Sequence, residues 1–278
     1  MFSTSAFLGL VEFSPGFAAR PRISHVLFDF DGTLSLIREG WAEVMMAMFL
    51  EMLPPLPQET KEAARQLLHE DIMRQNGKQT VYQMIQFAER IKERGGEARE
   101  PLWYKNEYLR RLDQRIADRL EGLRCGALRP ESFLVLGAPD VLEQLRQRNV
   151  PLYLASGTDE PYVRREAQLL QIAGYFGSHI YGALEDYRKF SKKMVIERIL
   201  RENNVPGDQL LAFGDGYVEI QNTKEVGGLA VAVASDEANN GSGKMDEWKR
   251  KRLLGVGADV VIPDFRDARA LIEIIFGA

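Results

Sequence analysis

The sequence holds a single cysteine, Cys125, among 278 residues. An internal disulfide framework is thereby excluded, and a reducing compartment fits. A cysteine nucleophile is not expected either, because no His and Asn pair is arranged to serve one. Excess positive charge is also missing: 36 Lys and Arg stand against 40 Asp and Glu, a net charge of −4. No overall positive field draws in nucleic acid or an anionic membrane, although a local basic site for an anionic substrate is compatible with this balance. No apolar run is long enough to span a membrane. The first twenty residues carry apolar patches but no basic start, and Glu12 interrupts them, so no signal peptide is expected. The expected location is cytoplasmic, with no nucleic-acid or membrane partner. Internal repeats and long low-complexity tracts are absent.

What remains is the composition of an ordinary globular protein, 45% hydrophobic and 27% charged, long enough for a core domain carrying a smaller one. Short apolar runs recur at residues 25–28 (HVLF), 152–155 (LYLA), 179–181 (HIY), 210–213 (LLAF), 229–233 (LAVAV) and 259–262 (DVVI). Most are continuously apolar rather than alternating, as strands buried on both faces of a parallel sheet require. Between them, residues 139–149, 160–172, 191–203 and 217–226 place apolar side chains at helical spacing. Alternating strands and helices predict a doubly wound α/β fold with a parallel sheet.

More than a hundred residues separate the first run from the second. The intervening stretch reads as helical over residues 39–53, 59–74, 78–94 and 101–121. Breakers at 54–57 (PPLP), 76–77 (NG) and 95–96 (GG) divide it. The predicted organisation is an N-terminal arm (1–21), a core built from 22–35 and 132–278, and a helical insertion over 36–131. Within that insertion the Met-rich run 44–49 (VMMAMF) is expected to pack the interior rather than bind a soft metal.

The first chemically informative stretch is His25-Val26-Leu27-Phe28-Asp29-Phe30-Asp31-Gly32-Thr33-Leu34. Two carboxylates follow an apolar strand, and a glycine then lets the chain turn. Ligands of open α/β sheets collect at the carboxyl ends of strands, where these acids lie. An Asp-rich turn accounts for one such acid. Two acids bracketing Phe30 crowd negative charge that calls for a cation. This pattern resembles the haloacid dehalogenase-like superfamily, whose signature is an apolar strand followed by DxDGT. The resemblance runs from about residue 22 to the C-terminus, because three further motifs follow in order.

The resemblance implies a phosphate-binding hydroxyl at the end of the next strand, where Ser156, Gly157 and Thr158 stand. A hydroxyl with exposed backbone amides suits phosphate oxygens. It implies a lysine opening a later helix, for which Lys192 fits better than Lys193, and Lys189 worse than either. It implies an acidic motif after a further strand, here Gly214-Asp215-Gly216 with Glu219 in place of the more common second Asp. Asp215 is read as a metal ligand, while Glu219 either reaches the metal through water or only orients Asp215. Oxygen donors of this kind suit Mg²⁺.

The implied scheme makes Asp29 the nucleophile and Asp31 the acid and base. Mg²⁺ would be bound by Asp29, Asp31 through its carbonyl, and Asp215. Thr33, Ser156, Gly157 and Lys192 would hold the phosphate. Asp31 sets phosphate chemistry apart from dehalogenation, since a halide leaves without a proton and an alkoxide does not. The helical insertion matches the cap of phosphoglycolate and sugar-phosphate phosphatases, which implies a small phosphorylated metabolite as substrate. Arg38 and Trp41, near the cap hinge, are candidates for substrate contact or for packing. A phosphomutase or phosphotransferase, and a binding module without turnover, remain as alternatives. Gly241-Ser242-Gly243-Lys244 imitates the end of a nucleotide-binding P-loop, but Ala238 and Met245 occupy positions that need Gly and Ser or Thr, so a surface loop is expected.

Overall fold

All six apolar runs fall in strands of one sheet in the computed structural model, which describes residues 9–277. The chain forms β1 (Glu12–Phe13) and β2 (His25–Phe28), then four helices: α1 (Trp41–Met52), α2 (Lys61–Arg74), α3 (Thr80–Glu93) and α4 (Pro101–Arg124). It continues through α5 (Ala138–Gln147), β3 (Leu152–Asp159), α6 (Glu160–Leu169), the single turn α7 (Ala173–Phe176) and β4 (Ile180–Ala183). Next come α8 (Lys192–Asn203), β5 (Leu210–Gly214), α9 (Tyr217–Glu225) and β6 (Leu229–Val233). The last elements are α10 (Glu247–Gly255), β7 (Val260–Ile262) and α11 (Ala268–Phe276).

The strand order is β1-β7-β6-β5-β2-β3-β4. All pairings are parallel except that of β1 with β7. The expected N-terminal arm lies partly outside the described residues, and its Glu12–Phe13 forms the antiparallel edge strand. Both faces are covered, which accounts for the unbroken apolar runs. Val26 and Phe28 join the larger cluster with Leu142 of α5 and Leu271 of α11, while Leu27 packs on the other face with Ile196 of α8. Phe28 stacks on Phe213 at 4.7 Å, locking β2 against β5 just before Asp29.

Helices α1 to α4 form the inserted cap. Pro101 starts α4, where its missing amide costs nothing, and the Thr60 hydroxyl caps α2 by accepting from the Ala63 amide. Met45, Met46, Met48 and Phe49 are buried, and the Phe49 ring lies 3.9 Å from that of Phe87. The methionine run therefore packs the interior. Helices α10 and α11 add to the expected set. Helix α10 buries only Lys249 and Leu253, so a charged residue sits where periodicity looks for an apolar one.

The cap rests on the carboxyl edge of the sheet through polar and backbone contacts. Gln79 Nε2 donates to the carbonyls of Tyr187 (2.8 Å) and Phe190 (2.7 Å), just before α8. Lys105 Nζ pairs with Asp159 at 2.5 Å. Arg252 of α10 donates to the Met73 and Arg74 carbonyls at the end of α2. Gly157 lies so close to the Lys78 carbonyl that any side chain there would overlap it. Gly157→Ala is therefore expected to lift residues 76–79 off the core. Proteolytic cleavage in that loop should accelerate while the far-ultraviolet circular dichroism stays unchanged; an unchanged cleavage rate would refute this contact as a determinant of closure.

Candidate active site

Parallel strands run in one direction, so the residues at the carboxyl ends of β2, β3 and β5 emerge together at one sheet edge. Register places Phe28 beside both Leu154 and Phe213, which brings Asp29, Ser156 and Asp215 to the same cleft. That cleft is lined from the core by Asp29, Asp31, Ser156, Gly157, Lys192 and Asp215. From the insertion and its hinge come Arg38, Trp41, Lys78 and Tyr108.

Asp29 is buried. Its Oδ1 accepts from the Phe30 amide at 2.8 Å and lies 2.8 Å from Lys192 Nζ. Ser191 caps α8 by accepting from the Met194 amide, which fixes the backbone where Lys192 enters the cleft. The Lys192 ammonium also meets Glu219 Oε2 at 2.8 Å. Glu219 Oε1 accepts from the Gly216 amide at 2.6 Å, so both its oxygens are engaged. Burial works against the Lys192 charge, but Asp29 and Glu219 outweigh it and hold the ammonium above its usual range. Burial also pushes the Asp29 carboxyl well above the usual carboxylate range, against the pull of Lys192. Lys193 points outward to Glu225 and Lys189 to Asp186, both on the surface.

Asp31 sits in the turn after β2. Gly32 there has φ of 73°, in the region that favours glycine, and a Cβ on it would overlap Asp215 Oδ2. Asp31 Oδ2 accepts from Ser156 Oγ at 3.0 Å and from Thr158 Oγ1 at 2.9 Å. Its Oδ1 has no hydrogen-bond partner among the described residues; Arg38 Nε stands 3.8 Å away. Arg38 is itself buried and bound through Nε and Nη2 to both oxygens of Glu166 on α6, at 3.0 and 2.8 Å. Burial raises the Asp31 carboxyl above its usual range, and Arg38 opposes that rise more strongly than Glu166 assists it.

Of the residues read from sequence, Glu219, Lys189 and Lys193 do not line the cleft, and neither does Thr33. It is fully buried, and its Oγ1 meets no hydrogen-bond partner among the described residues. Gly157 lines the cleft and at the same time carries the Lys78 contact. Sequence reasoning missed Glu166, Glu237 and Lys249, whose local context is that of polar helix or loop. Thr158 was visible beside Ser156 but had no role attached to it.

Asp29, Asp215 and Glu219 each offer a carboxylate oxygen within 4.8 Å of one another, close enough to hold a divalent cation. An all-oxygen set without His or Cys suits a hard cation. Since Glu219 is already engaged at both oxygens, Asp29 and Asp215 are the side chains left for such an ion.

The buried Arg38–Glu166 pair, with Glu166 completely inaccessible, joins the start of the cap to α6. Removing one partner strands a buried charge. Glu166→Gln is expected to lower unfolding stability by about 3–5 kcal/mol. Arg38→Met combined with Glu166→Leu should recover most of that loss in urea denaturation. Equal stability of Glu166→Gln and wild type would contradict it.

A family model for haloacid dehalogenase-like hydrolases matches residues 23–227. No curated protein matches the sequence. Among solved structures, β-phosphoglucomutase from Clostridium difficile superposes with a TM-score of 0.60 at 12% identity, over 92% of this chain and 97% of that one. A haloacid dehalogenase-like protein of unknown function from Agrobacterium tumefaciens gives 0.59 at 18% identity, covering 90% of this chain and 97% of the other. A predicted phosphoglycolate phosphatase from Haemophilus somnus gives 0.57 at 17%, covering 88% and 96%. At such identities the likeness concerns the fold alone. The family match over residues 23–227 goes further, and the chain belongs to the haloacid dehalogenase-like hydrolases.

Proposed function

We propose that this protein is a magnesium-dependent phosphomonoester hydrolase that acts on a small phosphorylated metabolite through an aspartyl-phosphate on Asp29. The observation that carries this reading is the bridge of Lys192 between Asp29 and Glu219, with Asp215 beside them. A buried cation fixes one oxygen of the nucleophile and leaves the other, Oδ2, to attack phosphorus. The new bond joins Asp29 Oδ2 to phosphorus as the bond from phosphorus to the substrate oxygen breaks. Asp31 delivers its proton to that departing oxygen. It then takes a proton from the water that attacks phosphorus, which frees Asp29 and inorganic phosphate.

Mg²⁺, held by the Asp29 and Asp215 carboxylates and the Asp31 carbonyl, would offset charge between nucleophile and phosphate. Lys192, the Ser156 hydroxyl and the Gly157 amide would hold the transferring oxygens, where preorganised donors are most effective. Glu219, engaged by Lys192 and the Gly216 amide, is assigned to anchoring the lysine. The cap supports a small substrate, because a closed cleft excludes bulk water and leaves little room for a protein chain.

Phosphate release should be measured with and without Mg²⁺ over a panel of small phosphorylated metabolites. Wild type is expected to release phosphate only with metal, and Asp29→Asn to lose activity on the order of a thousandfold or more. Stoichiometric release without an added acceptor would exclude a phosphomutase; an equally active Asp29→Asn would sink the nucleophile assignment.

The pH profile supplies a second test. Asp31 must be protonated to serve the leaving group, so kcat/KM should fall as pH rises through its pKa. Arg38 pulls that pKa down more than Glu166 pushes it up. Removing both charges in Arg38→Met/Glu166→Gln is therefore expected to move the alkaline limb to higher pH. A limb that stays put or moves to lower pH would detach Asp31 from the acid role.

A further inference from the structure

A second buried lysine lies behind the acidic cluster, on a helix remote from it in sequence. Lys249 of α10 is 5% exposed. Its Nζ meets Glu237 Oε1 at 2.6 Å, Asp215 Oδ2 at 2.9 Å and Ser235 Oγ at 3.1 Å. An ammonium has three hydrogens, and here each has an acceptor. The seat itself is held by further hydrogen bonds. Asp246 caps α10 by accepting from the Trp248 and Lys249 amides, both at 2.9 Å. Ser235 Oγ donates to the Gly32 carbonyl at 2.6 Å, which ties the seat to the turn carrying Asp31. On its other side Asp215 Oδ2 occupies the notch that Gly32 leaves by lacking a side chain.

From this we infer that Lys249, seated by Glu237 and Ser235, is a positioning residue that commits Asp215 Oδ2 to the protein and presents Oδ1 to the divalent cation. The inference rests on the metal-dependent reading proposed above. A carboxylate bound at neither oxygen turns about its terminal bond and exchanges the two. One held at Oδ2 offers a single oxygen in a single direction. Glu237 neutralises the lysine, so the pair orients Asp215 without adding net positive charge near a cation. Partners that orient metal ligands in this way contribute about 10–100-fold to metal affinity. Lys192 and Lys249 thus divide the work: the first holds the nucleophile, the second holds the ligand.

The test is Mn²⁺ affinity of the full-length protein, read from the free-ion signal in electron paramagnetic resonance and alongside a thermal melt. Three variants are compared with wild type. Lys249→Met/Glu237→Gln removes both charges, so that no stranded carboxylate becomes a substitute ligand. Ser235→Ala trims the seat by one acceptor and keeps the fold should the double variant fail. Asp215→Asn serves as the reference for a lost ligand. Wild type and Asp215→Asn should differ sharply; if wild type binds no Mn²⁺, the metal reading fails and this inference falls with it. Given that difference, the double variant is expected to bind about 10–100-fold more weakly, and Ser235→Ala more weakly by a smaller factor. A lower melting temperature with unchanged Mn²⁺ affinity in both variants would make Lys249 merely structural and overturn the proposal.

Discussion

Carboxylates from Asp29, Asp31, Asp215, Glu219 and Glu237 converge around one cleft, and the protein has to offset them in a region largely closed to water. At 4 Å two like charges repel by about 4 kcal/mol even at an effective dielectric constant of 20. Three cations answer this. Lys192 lies between Asp29 and Glu219, Lys249 between Asp215 and Glu237, and Arg38 between Glu166 and Asp31. Each acid that faces the cleft is thus placed against a cation whose second partner lies farther from the cleft. The outer glutamates matter because they fix the direction of the cation, and through it the direction of the inner carboxylate.

The sheet makes this arrangement possible. Strand β2 lies between β3 and β5, so the hydroxyls in the last half of β3 and the acid after β5 flank the acids after β2. The cations come from elsewhere: Lys192 from the first turn of α8, Lys249 from α10, and Arg38 from the hinge of the insertion. Because α10 also reaches the end of α2 through Arg252, one helix touches both the acidic cluster and the cap. Cap and core meet through ion pairs, backbone carbonyls and a shared apolar cluster.

Asp31 illustrates how these constraints act together. Its Oδ2 is held by Ser156 and Thr158, while Oδ1 is left without a hydrogen bond and faces Arg38 at 3.8 Å. Burial favours its neutral form and Arg38 its charged form, a balance that fits the acid and base role proposed for it. Asp29, two residues earlier, carries Lys192 directly on one oxygen and has no comparable freedom there.

By itself the sequence determined the sheet and the edge where its chemistry lies. Unbroken apolar runs need burial on both faces, and in a parallel sheet the ends of the runs share one edge, so Asp29 and Asp31 were legible there. Ser156 and Asp215 were legible through the motif order that the family resemblance implies. Lys192 was legible only through the family resemblance, which calls for a lysine opening that helix, and the Met-rich run was legible as interior because of its helical spacing. The tertiary structure alone decided which cation meets which carboxylate. It turned Thr33 inward, engaged both oxygens of Glu219, drew Glu166 to Arg38, and buried Lys249 in a helix whose sequence reads as solvated. Hydrophobic periodicity records the burial of apolar side chains along one segment. A buried ion pair joins two segments and leaves no periodic trace in either, so only the folded chain discloses it.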